Sequence, residues 1–310
     1  MATKLVIGTR GSKLALFQAN LVKSKLEEAY PTLEVVINII KTKGDKILDI
    51  ALSKIGDKGF FTKEIQDALH KKHVDIAVHS LKDLPTELPK GTRIGAIMER
   101  ASHRDVLVSI DGKKLADFTS EDKIATSSLR RKSQLIQINK EFKVIEIRGN
   151  VDTRIRKMHD GHCQGLIMAA AGIERLGLQE HISEYLNETQ MLTAPGQGAI
   201  AIEIREDDNS TLEFLSVLNH KESVICVTAE RSFLNRLEGG CQIPFAAHAT
   251  LEGDHLVLEG LVATLDGRKI QRETIKGYSK DAIQLGIDLA NSIKSNGGYE
   301  ILEEIKKELN

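Results

Sequence analysis

The sequence predicts an α/β protein with two doubly wound units and a smaller α+β unit at its C-terminal end. Apolar runs of strand length alternate with segments of helical periodicity along most of the chain, which is typical of sheets covered by helices. After Gly239-Gly240 the pattern changes to consecutive strands separated by turns. The 310 residues, of which 41% are hydrophobic, are enough for two or three packed domains.

The first unit is predicted to be a mainly parallel sheet with helices on both faces. Its first helix carries apolar residues along one face, and Tyr30-Pro31 ends it. The charged segment 42–59 has little apolar periodicity, and we interpret it as a mobile loop or lid. The predicted elements are a strand at 5–8, a helix at 15–29, a strand at 34–40, a helix at 60–72 and a strand at 74–78.

The second unit repeats this alternation, whereas the C-terminal unit does not. Predicted strands at 106–109, 123–126, 143–147, 165–169 and 199–204 are interleaved with helices at 128–139, 151–160 and 171–176. A helix at 223–237 ends at Gly239-Gly240, which is a C-cap signature. An antiparallel meander follows at 245–251, 255–265 and 269–276, and two helices begin near Lys280 and Tyr299.

The composition argues against several classes of function. Lys and Arg total 43 against 44 Asp and Glu, so the net charge is −1 and we expect no nucleic-acid or membrane-surface partner. Aromatic residues are 4% and Trp is absent, which disfavours base stacking. There is no signal-peptide pattern, and three cysteines do not suggest a disulfide framework. We therefore expect a cytoplasmic protein whose anion sites depend on local placement of arginine.

Four polar clusters directly follow predicted strands. Ligands of open α/β sheets bind beyond the carboxyl ends of the strands, and helix N-termini and arginines favour anions there. Serine or threonine at a helix start also acts simply as a cap, and an arginine pair can be a solvated face. The pattern nevertheless predicts an anion site in a cleft between the two α/β units. The clusters are Gly8-Thr9-Arg10-Gly11-Ser12, His79-Ser80-Leu81-Lys82-Asp83, Ala125-Thr126-Ser127-Ser128-Leu129-Arg130-Arg131 and Arg148-Gly149-Asn150-Val151-Asp152-Thr153-Arg154.

Two further residues are chemical candidates. Asp83 is either an ion-paired turn residue or a carboxylate that faces a cationic intermediate or an N–H group. Cys241 follows two glycines, which makes it a candidate nucleophile or attachment point. Cys163 and Cys226 are interpreted as buried apolar residues. His159, His162 and Cys163 have a ligand-like spacing but lack a second ligand pair, so no metal site is expected.

At these clusters the sequence resembles the porphobilinogen deaminase family. The resemblance also covers Ala194-Pro195-Gly196-Gln197-Gly198-Ala199 and extends to Pro244. Its most specific motif is Leu237-Glu238-Gly239-Gly240-Cys241-Gln242-Ile243-Pro244, which is similar to the family's cofactor-attachment signature.

The resemblance implies a monomeric transferase with two periplasmic-binding-protein-like domains flanking a cleft and an α+β C-terminal domain. Domain 1 would comprise residues 1–98 and 195–218, domain 2 residues 99–194 and domain 3 residues 219–310. It also implies a dipyrromethane cofactor joined to Cys241 by a thioether. The family condenses four porphobilinogen molecules head to tail, with loss of ammonia, and releases linear hydroxymethylbilane.

The resemblance also implies roles for individual residues. Asp83 is expected to be catalytic, because it would hold pyrrole N–H groups and stabilise positive charge. The cofactor-binding set is expected to be Cys241, Lys82, Asp83, Ser80, Thr126, Ser128, Arg130, Arg131, Arg148 and Gly149. The substrate-binding set is expected to be Arg10, Ser12, Phe61, Arg148, Arg154 and Gln197.

Two other classes remain open on the residues alone. A two-lobed, periplasmic-receptor-type anion-binding module would show the same alternation of elements, but it would not need Cys241. A cysteine-dependent redox or acyl-transfer enzyme would need a base for Cys241, and no motif identifies one. The mass of the intact protein separates the three classes, since only the deaminase carries two linked pyrroles.

Overall fold

The computed structural model describes residues 3–46, 61–237 and 243–309. The chain divides into two compact units. Among the described residues, unit 1 comprises 3–46, 61–101 and 198–224, and unit 2 comprises 102–197, 225–237 and 243–309. Each unit therefore combines segments that are distant in the sequence. Among the described helices, none has both the length and the hydropathy that a membrane span requires.

The described residues form strands and helices in alternation, and the last three strands are consecutive. The strands are β1 (Thr3–Thr9), β2 (Leu33–Ile39), β3 (Ile76–Ser80), β4 (Thr92–Ile97), β5 (Asp105–Ser109), β6 (Lys123–Ala125), β7 (Lys143–Ile145), β8 (Gly165–Ala169), β9 (Ile182–Tyr185), β10 (Ile200–Arg205), β11 (Phe245–Glu252), β12 (His255–Ala263) and β13 (Ile270–Tyr278). The α-helices are α1 (Lys13–Ala29), α2 (Lys43–Lys46), α3 (Lys63–His70), α4 (Leu129–Ile138), α5 (Val151–His159), α6 (Ala170–Arg175), α7 (Asn209–Leu215), α8 (Lys221–Arg236), α9 (Ala282–Ile293) and α10 (Tyr299–Leu309).

Unit 1 contains a five-stranded sheet in the order β2-β1-β3-β10-β4. β1 is parallel to β2 and β3, but β10 is antiparallel to both of its neighbours. The prediction of a mainly parallel sheet is therefore wrong for this side of the sheet. β10 comes from a segment far downstream of β3, and the direction in which such a segment enters a sheet is a matter of chain topology that local patterns do not encode.

Helix α1 shows how the sequence of unit 1 sets its packing. Its apolar face buries Ala19, Val22 and Leu26 in the same core as the strand residues Ile7 and Ile76. The Ser12 hydroxyl caps the helix by accepting from the Ala15 backbone N–H at 3.3 Å. The cap fixes where the helix begins, directly beyond the end of β1.

Unit 2 contains a second mixed sheet in the order β7-β6-β8-β5-β9. β6 is parallel to β7 and β8, whereas β5 is antiparallel to β8 and β9. Successive residues of β5 enter different cores: Val106 packs in the core that contains Ile155 of α5, and Leu107 packs in the core that contains Leu135 of α4. Helices therefore cover both faces of this sheet, as predicted.

The C-terminal segment of unit 2 forms the antiparallel sheet β11-β12-β13. Its core includes Phe233 of α8, Leu258 of β12 and Leu289 of α9. Gly267 lies in the β12–β13 turn at φ +68°, and a Cβ there would lie 2.4 Å from the backbone oxygen of Ser133, so the turn packs directly on α4. The predicted fold class, two α/β units with an antiparallel α+β unit, is confirmed.

Most predicted elements agree with the structure within a few residues. The sequence analysis did not predict β4, β9 or α7. Part of the predicted loop at 42–59 is helix α2, and residues 47–59 lie outside the described residues. The predicted cleft and the predicted domain boundaries stay predictions.

Candidate functional site

In unit 1, two of the predicted clusters lie at the same edge of the sheet. β1 and β3 are parallel neighbours, so their carboxyl ends, with Arg10 and Ser12 after one and Ser80 and Asp83 near the other, are adjacent. The buried Gln18 amide of α1 joins the two ends, because its Nε2 lies 2.8 Å and its Oε1 3.2 Å from the Ser80 Oγ.

Asp83 ends the single 3-10 turn Leu81–Asp83 directly after β3. The turn is anchored by Leu81, which is buried and donates its backbone N–H to the carbonyl of Ala199 at 3.0 Å. Both Lys82 and Asp83 are exposed. None of the described residues forms a hydrogen bond or ion pair with the Asp83 carboxylate. The structure therefore does not support the alternative that Asp83 is an ion-paired turn residue.

Arg10 and Phe61, both predicted to bind substrate, are in contact. The guanidinium carbon of Arg10 lies 4.2 Å from the centroid of the Phe61 ring. This is within the range of a cation–π interaction. Gly44 of α2 packs against the same ring, and a Cβ there would lie 2.1 Å from a ring carbon. The two side chains thus form one cationic and aromatic surface in unit 1.

In unit 2, the other two clusters follow the parallel neighbours β6 and β7 and also share a sheet edge. Part of the first cluster has a capping role: the Ser128 hydroxyl accepts from the Arg131 backbone N–H at 3.4 Å, and the Thr126 hydroxyl accepts from the Ser128 N–H at 3.2 Å. Capping therefore accounts for Ser128, as it does for Ser12 in unit 1. Ligand contacts for these hydroxyls stay a prediction.

Arg130 and Arg131 are not a solvated face. Their side chains are 7% and 8% exposed, and both donate to Asp105, which is fully buried at the start of β5. Burial alone would raise the pKa of Asp105, but the two guanidinium groups outweigh it and hold the pKa well below its ordinary value. Sequence analysis missed Asp105, because only the antiparallel pairing of β5 with β8 brings it close to the cluster after β6.

Gln197, predicted to bind substrate, is fully buried in unit 2. Its Nε2 donates to the backbone carbonyl of His103 at 2.7 Å and to Oδ1 of Asp105 at 2.9 Å. Its described contacts are therefore within the protein, and a substrate contact stays a prediction.

Arg148 differs from the other predicted arginines. Its Nε and Nη2 are inaccessible to solvent and have no hydrogen-bond partner among the described residues. Together these atoms form the edge of a guanidinium that matches the two oxygens of a carboxylate. Gly149 follows at φ +121°, and a Cβ there would lie 2.7 Å from Thr153 Cγ2, so this turn requires glycine. The Gly149 carbonyl accepts from Arg154 Nε at 2.7 Å.

The cysteines fall into two groups. Cys241 lies outside the described residues. Cys163 and Cys226 are buried and neither is in a disulfide, and burial raises the pKa of Cys163 to about 11, so it is not a thiolate at neutral pH.

The sequence also did not indicate a group formed by His103, Glu188 and His248. The two imidazoles stack face to face at 3.8 Å. Parallel rings do not direct their nitrogens at one point, so this arrangement is not that of a bound metal ion.

The fold and these side chains define an α/β protein with arginine guanidinium groups beyond its strand ends, a set of donors that suits an acidic ligand. Family models match the chain in two parts: residues 5–213 match "Porphobilinogen deaminase, dipyromethane cofactor binding domain", and residues 224–295 match "Porphobilinogen deaminase, C-terminal domain". The chain belongs to the porphobilinogen deaminase family.

Relatives of nearly the same length carry this family name. The porphobilinogen deaminase of Syntrophomonas wolfei is 50% identical, over 98% of this chain and 99% of that protein. The porphobilinogen deaminase of Desulfitobacterium hafniense is 49% identical, over 98% of each chain. Among solved structures, the methionine-binding protein MetQ is 12% identical with a TM-score of 0.45, over 71% of this chain and 91% of that chain.

The described residues fit the acidic dipyrromethane cofactor of this family. A dipyrromethane built from porphobilinogen carries carboxylates on each ring, and the buried Nε and Nη2 of Arg148 are donors of the geometry that a carboxylate accepts. A buried donor without a partner is costly, so an anionic ligand at this place stabilises the protein.

Proposed function

We propose that the chain is a hydroxymethylbilane synthase, a transferase that joins four porphobilinogen molecules head to tail and releases the linear product. The observation that carries the proposal is the buried edge of Arg148, which lies next to Gly149 and Arg154 in a motif of the family. Porphobilinogen has an acetate and a propionate side chain. A protein with a net charge of −1 therefore concentrates arginines where these carboxylates bind.

The cofactor is proposed to be attached to Cys241 through a thioether. When bound, the dipyrromethane supplies the pyrrole carbon at which the chain of rings is extended. Cys163 and Cys226 are buried, and the high pKa of Cys163 makes its thiol unreactive at neutral pH. Cys241 remains the cysteine of this chain whose sequence context suits attachment.

Asp83 is proposed to be the catalytic residue, which assists proton transfer and stabilises positive charge. Its exposed carboxylate accepts hydrogen bonds from pyrrole N–H groups and stabilises the positive charge that develops as ammonia leaves. Because the described residues provide no counter-ion to this carboxylate, its charge is available to the reacting groups. The 3-10 turn and the buried Leu81 hold it at the end of β3.

Substrate carboxylates are proposed to bind Arg10, Arg148 and Arg154, with Phe61 packing against a pyrrole ring. The contact between Arg10 and Phe61 supports a surface that takes a ring and its acidic side chain together. Ser12, Ser80, Lys82, Thr126, Ser128 and Gln197 are proposed as supporting donors. The domain boundaries given above, a monomeric state, a cytoplasmic location and the absence of nucleic-acid and membrane partners are further parts of this proposal.

The test is the mass of the intact protein. Wild-type protein is expected to carry an adduct of two linked pyrroles, and Cys241→Ser is expected to lack it and to lose turnover. Cys226→Ser is the matched control and is expected to retain both. An adduct on Cys163 or Cys226, or wild-type protein without any adduct, would contradict the proposal and favour an anion-binding module or another cysteine chemistry.

A further inference from the structure

We infer that Asp105 is a positioning residue for cofactor binding, which acts by orienting Arg130, Arg131 and Gln197. The inference rests on the proposed function, since it assigns the arginines a dipyrromethane carboxylate as their ligand. Asp105 belongs to none of the motifs discussed above, and it lies at the first position of β5.

The Asp105 carboxylate accepts from three side chains. Arg130 Nη1 donates to Oδ2 at 2.7 Å. Arg131 donates to Oδ1 from Nε at 3.1 Å and from Nη2 at 2.7 Å. Gln197 Nε2 donates to the same Oδ1 at 2.9 Å. One carboxylate thus fixes the orientation of three residues that the sequence motifs associate with ligand binding.

Backbone carbonyls complete the arrangement. Arg130 Nη1 also donates to Leu192 O at 2.7 Å, and Arg131 Nη1 donates to Ile167 O at 3.0 Å. Gln134, one turn further along α4, holds Leu192 from both sides: its Oε1 accepts from the Leu192 N–H at 2.8 Å, and its Nε2 donates to Leu192 O at 3.0 Å. The Leu192 side chain packs with Ala246 and Leu261 of the C-terminal sheet. Arg130 is therefore connected to strand β11 through Leu192, which accepts its hydrogen bond and packs on Ala246. Strand β11 begins a few residues after Cys241 in the sequence.

Arg130 and Arg131 differ in which of their guanidinium nitrogens donate hydrogen bonds within the protein. Arg131 uses Nε, Nη1 and Nη2 within the protein. Arg130 uses only Nη1, and neither its Nε nor its Nη2 donates to a residue that the structure describes. These two atoms are the edge that pairs with a carboxylate. Asp105 holds one end of Arg130 and leaves that edge for a ligand.

The charges support the same role. Two guanidinium groups share one carboxylate, so the cluster keeps one positive charge that Asp105 does not neutralise. A buried charge without a partner is strongly unfavourable, and an acidic ligand relieves this cost. Removal of Asp105 would leave both guanidinium groups without a carboxylate partner and held, among the described residues, only by the backbone carbonyls of Leu192 and Ile167.

The test compares two substitutions of Asp105 with a control. Asp105→Asn keeps the size of the side chain and removes its charge, and Asp105→Glu keeps the charge but moves it by about 1.5 Å, the length of one carbon–carbon bond. Glu203→Gln is the matched control, because Glu203 is also a fully buried carboxylate with three side-chain partners, but these are His79, Thr92 and Gln66 in unit 1. Circular dichroism shows whether each variant is folded, and intact-protein mass gives the fraction that carries two pyrroles.

We expect Asp105→Asn to lower the cofactor-bearing fraction of folded protein by about tenfold or more, since charge-assisted contacts are lost. Asp105→Glu, which retains the charge balance, is expected to lower it by a smaller factor in folded protein, and Glu203→Gln is expected to leave it unchanged. A wild-type cofactor fraction in either folded Asp105 variant would overturn the inference, and an equal loss in Glu203→Gln would reduce Asp105 to a structural residue. Wild-type protein without any adduct would instead contradict the proposed function.

Discussion

The guanidinium of Arg10 lies over the ring of Phe61, with 4.2 Å between its central carbon and the ring centroid. If the pair forms one binding surface for a pyrrole and its carboxylate, the two residues should be energetically coupled in substrate binding. A double-mutant cycle with Arg10→Leu and Phe61→Leu is expected to give a coupling of about 0.5–2 kcal/mol in kcat/KM. Phe61→Tyr retains the ring and should stay near wild type. Additive effects of the two substitutions would contradict a shared surface.

Asp83→Asn tests the catalytic carboxylate. The change keeps the size of the side chain and removes the charge, so turnover is expected to fall by about 10²-fold or more, while the cofactor adduct remains. Glu87→Gln is the matched control, since Glu87 is an exposed carboxylate close by in the chain. Steady-state kinetics and intact mass measure both outcomes. Near-normal turnover in folded Asp83→Asn would show that Asp83 is a structural turn residue.

Arg148→Lys tests the buried guanidinium edge. Lysine retains the charge but cannot present two parallel donors, so affinity for the acidic ligand is expected to fall by about 1.5–3 kcal/mol, or about 10- to 150-fold. Cofactor content and the distribution of enzyme-bound intermediates, both read by mass, report the effect. Arg156→Lys, an exposed arginine two residues beyond Arg154 on the same helix, serves as the control. An unchanged ladder of intermediates in Arg148→Lys would count against the anion site.

The buried Glu203 carboxylate predicts a loss of stability in acid. Burial raises its pKa, but hydrogen bonds from His79, Thr92 and Gln66 outweigh this and leave the pKa below its ordinary value of 4.5. Because the folded-state pKa is lowered, the stabilisation is complete above about pH 4.5 and is lost as the pH falls through the lower, folded-state value. Urea unfolding of wild type and Glu203→Gln should therefore differ by about 1–3 kcal/mol at pH 7 and by less below pH 4. A difference that does not change with pH would contradict this account.

Several elements, and the placement of arginines after strand ends, could be predicted because the information is local. The apolar face of α1 and its cap at Ser12 are set by residues within one helix, and the structure confirms both. The alternation of short apolar runs and helices likewise predicted the fold class. Arginines placed after β6 and β7 indicated an anion site, since parallel neighbours end at the same sheet edge.

Other features depended on contacts between distant segments. The antiparallel insertion of β10 between β3 and β4 requires the chain to return to the first sheet after about 100 residues. The residues of β10 do not by themselves determine whether it pairs parallel or antiparallel to its neighbours. The position of Asp105 beneath Arg130 and Arg131 follows from the antiparallel pairing of β5 with β8. A single Asp at the start of a strand does not indicate in the sequence that it will contact two arginines of another segment.

The sequence by itself determined that this protein is built from alternating strands and helices, and that arginines, Asp83 and Cys241 lie in motifs of the porphobilinogen deaminase family. The tertiary structure alone decided which of these arginines have partners within the protein. Arg131 is held by Asp105 and Ile167, whereas Arg148 keeps a buried edge without a partner among the described residues. The physical reason is that a motif specifies which donors are present. Burial and the acceptors brought by distant strands determine which donors are already used and which remain for a ligand.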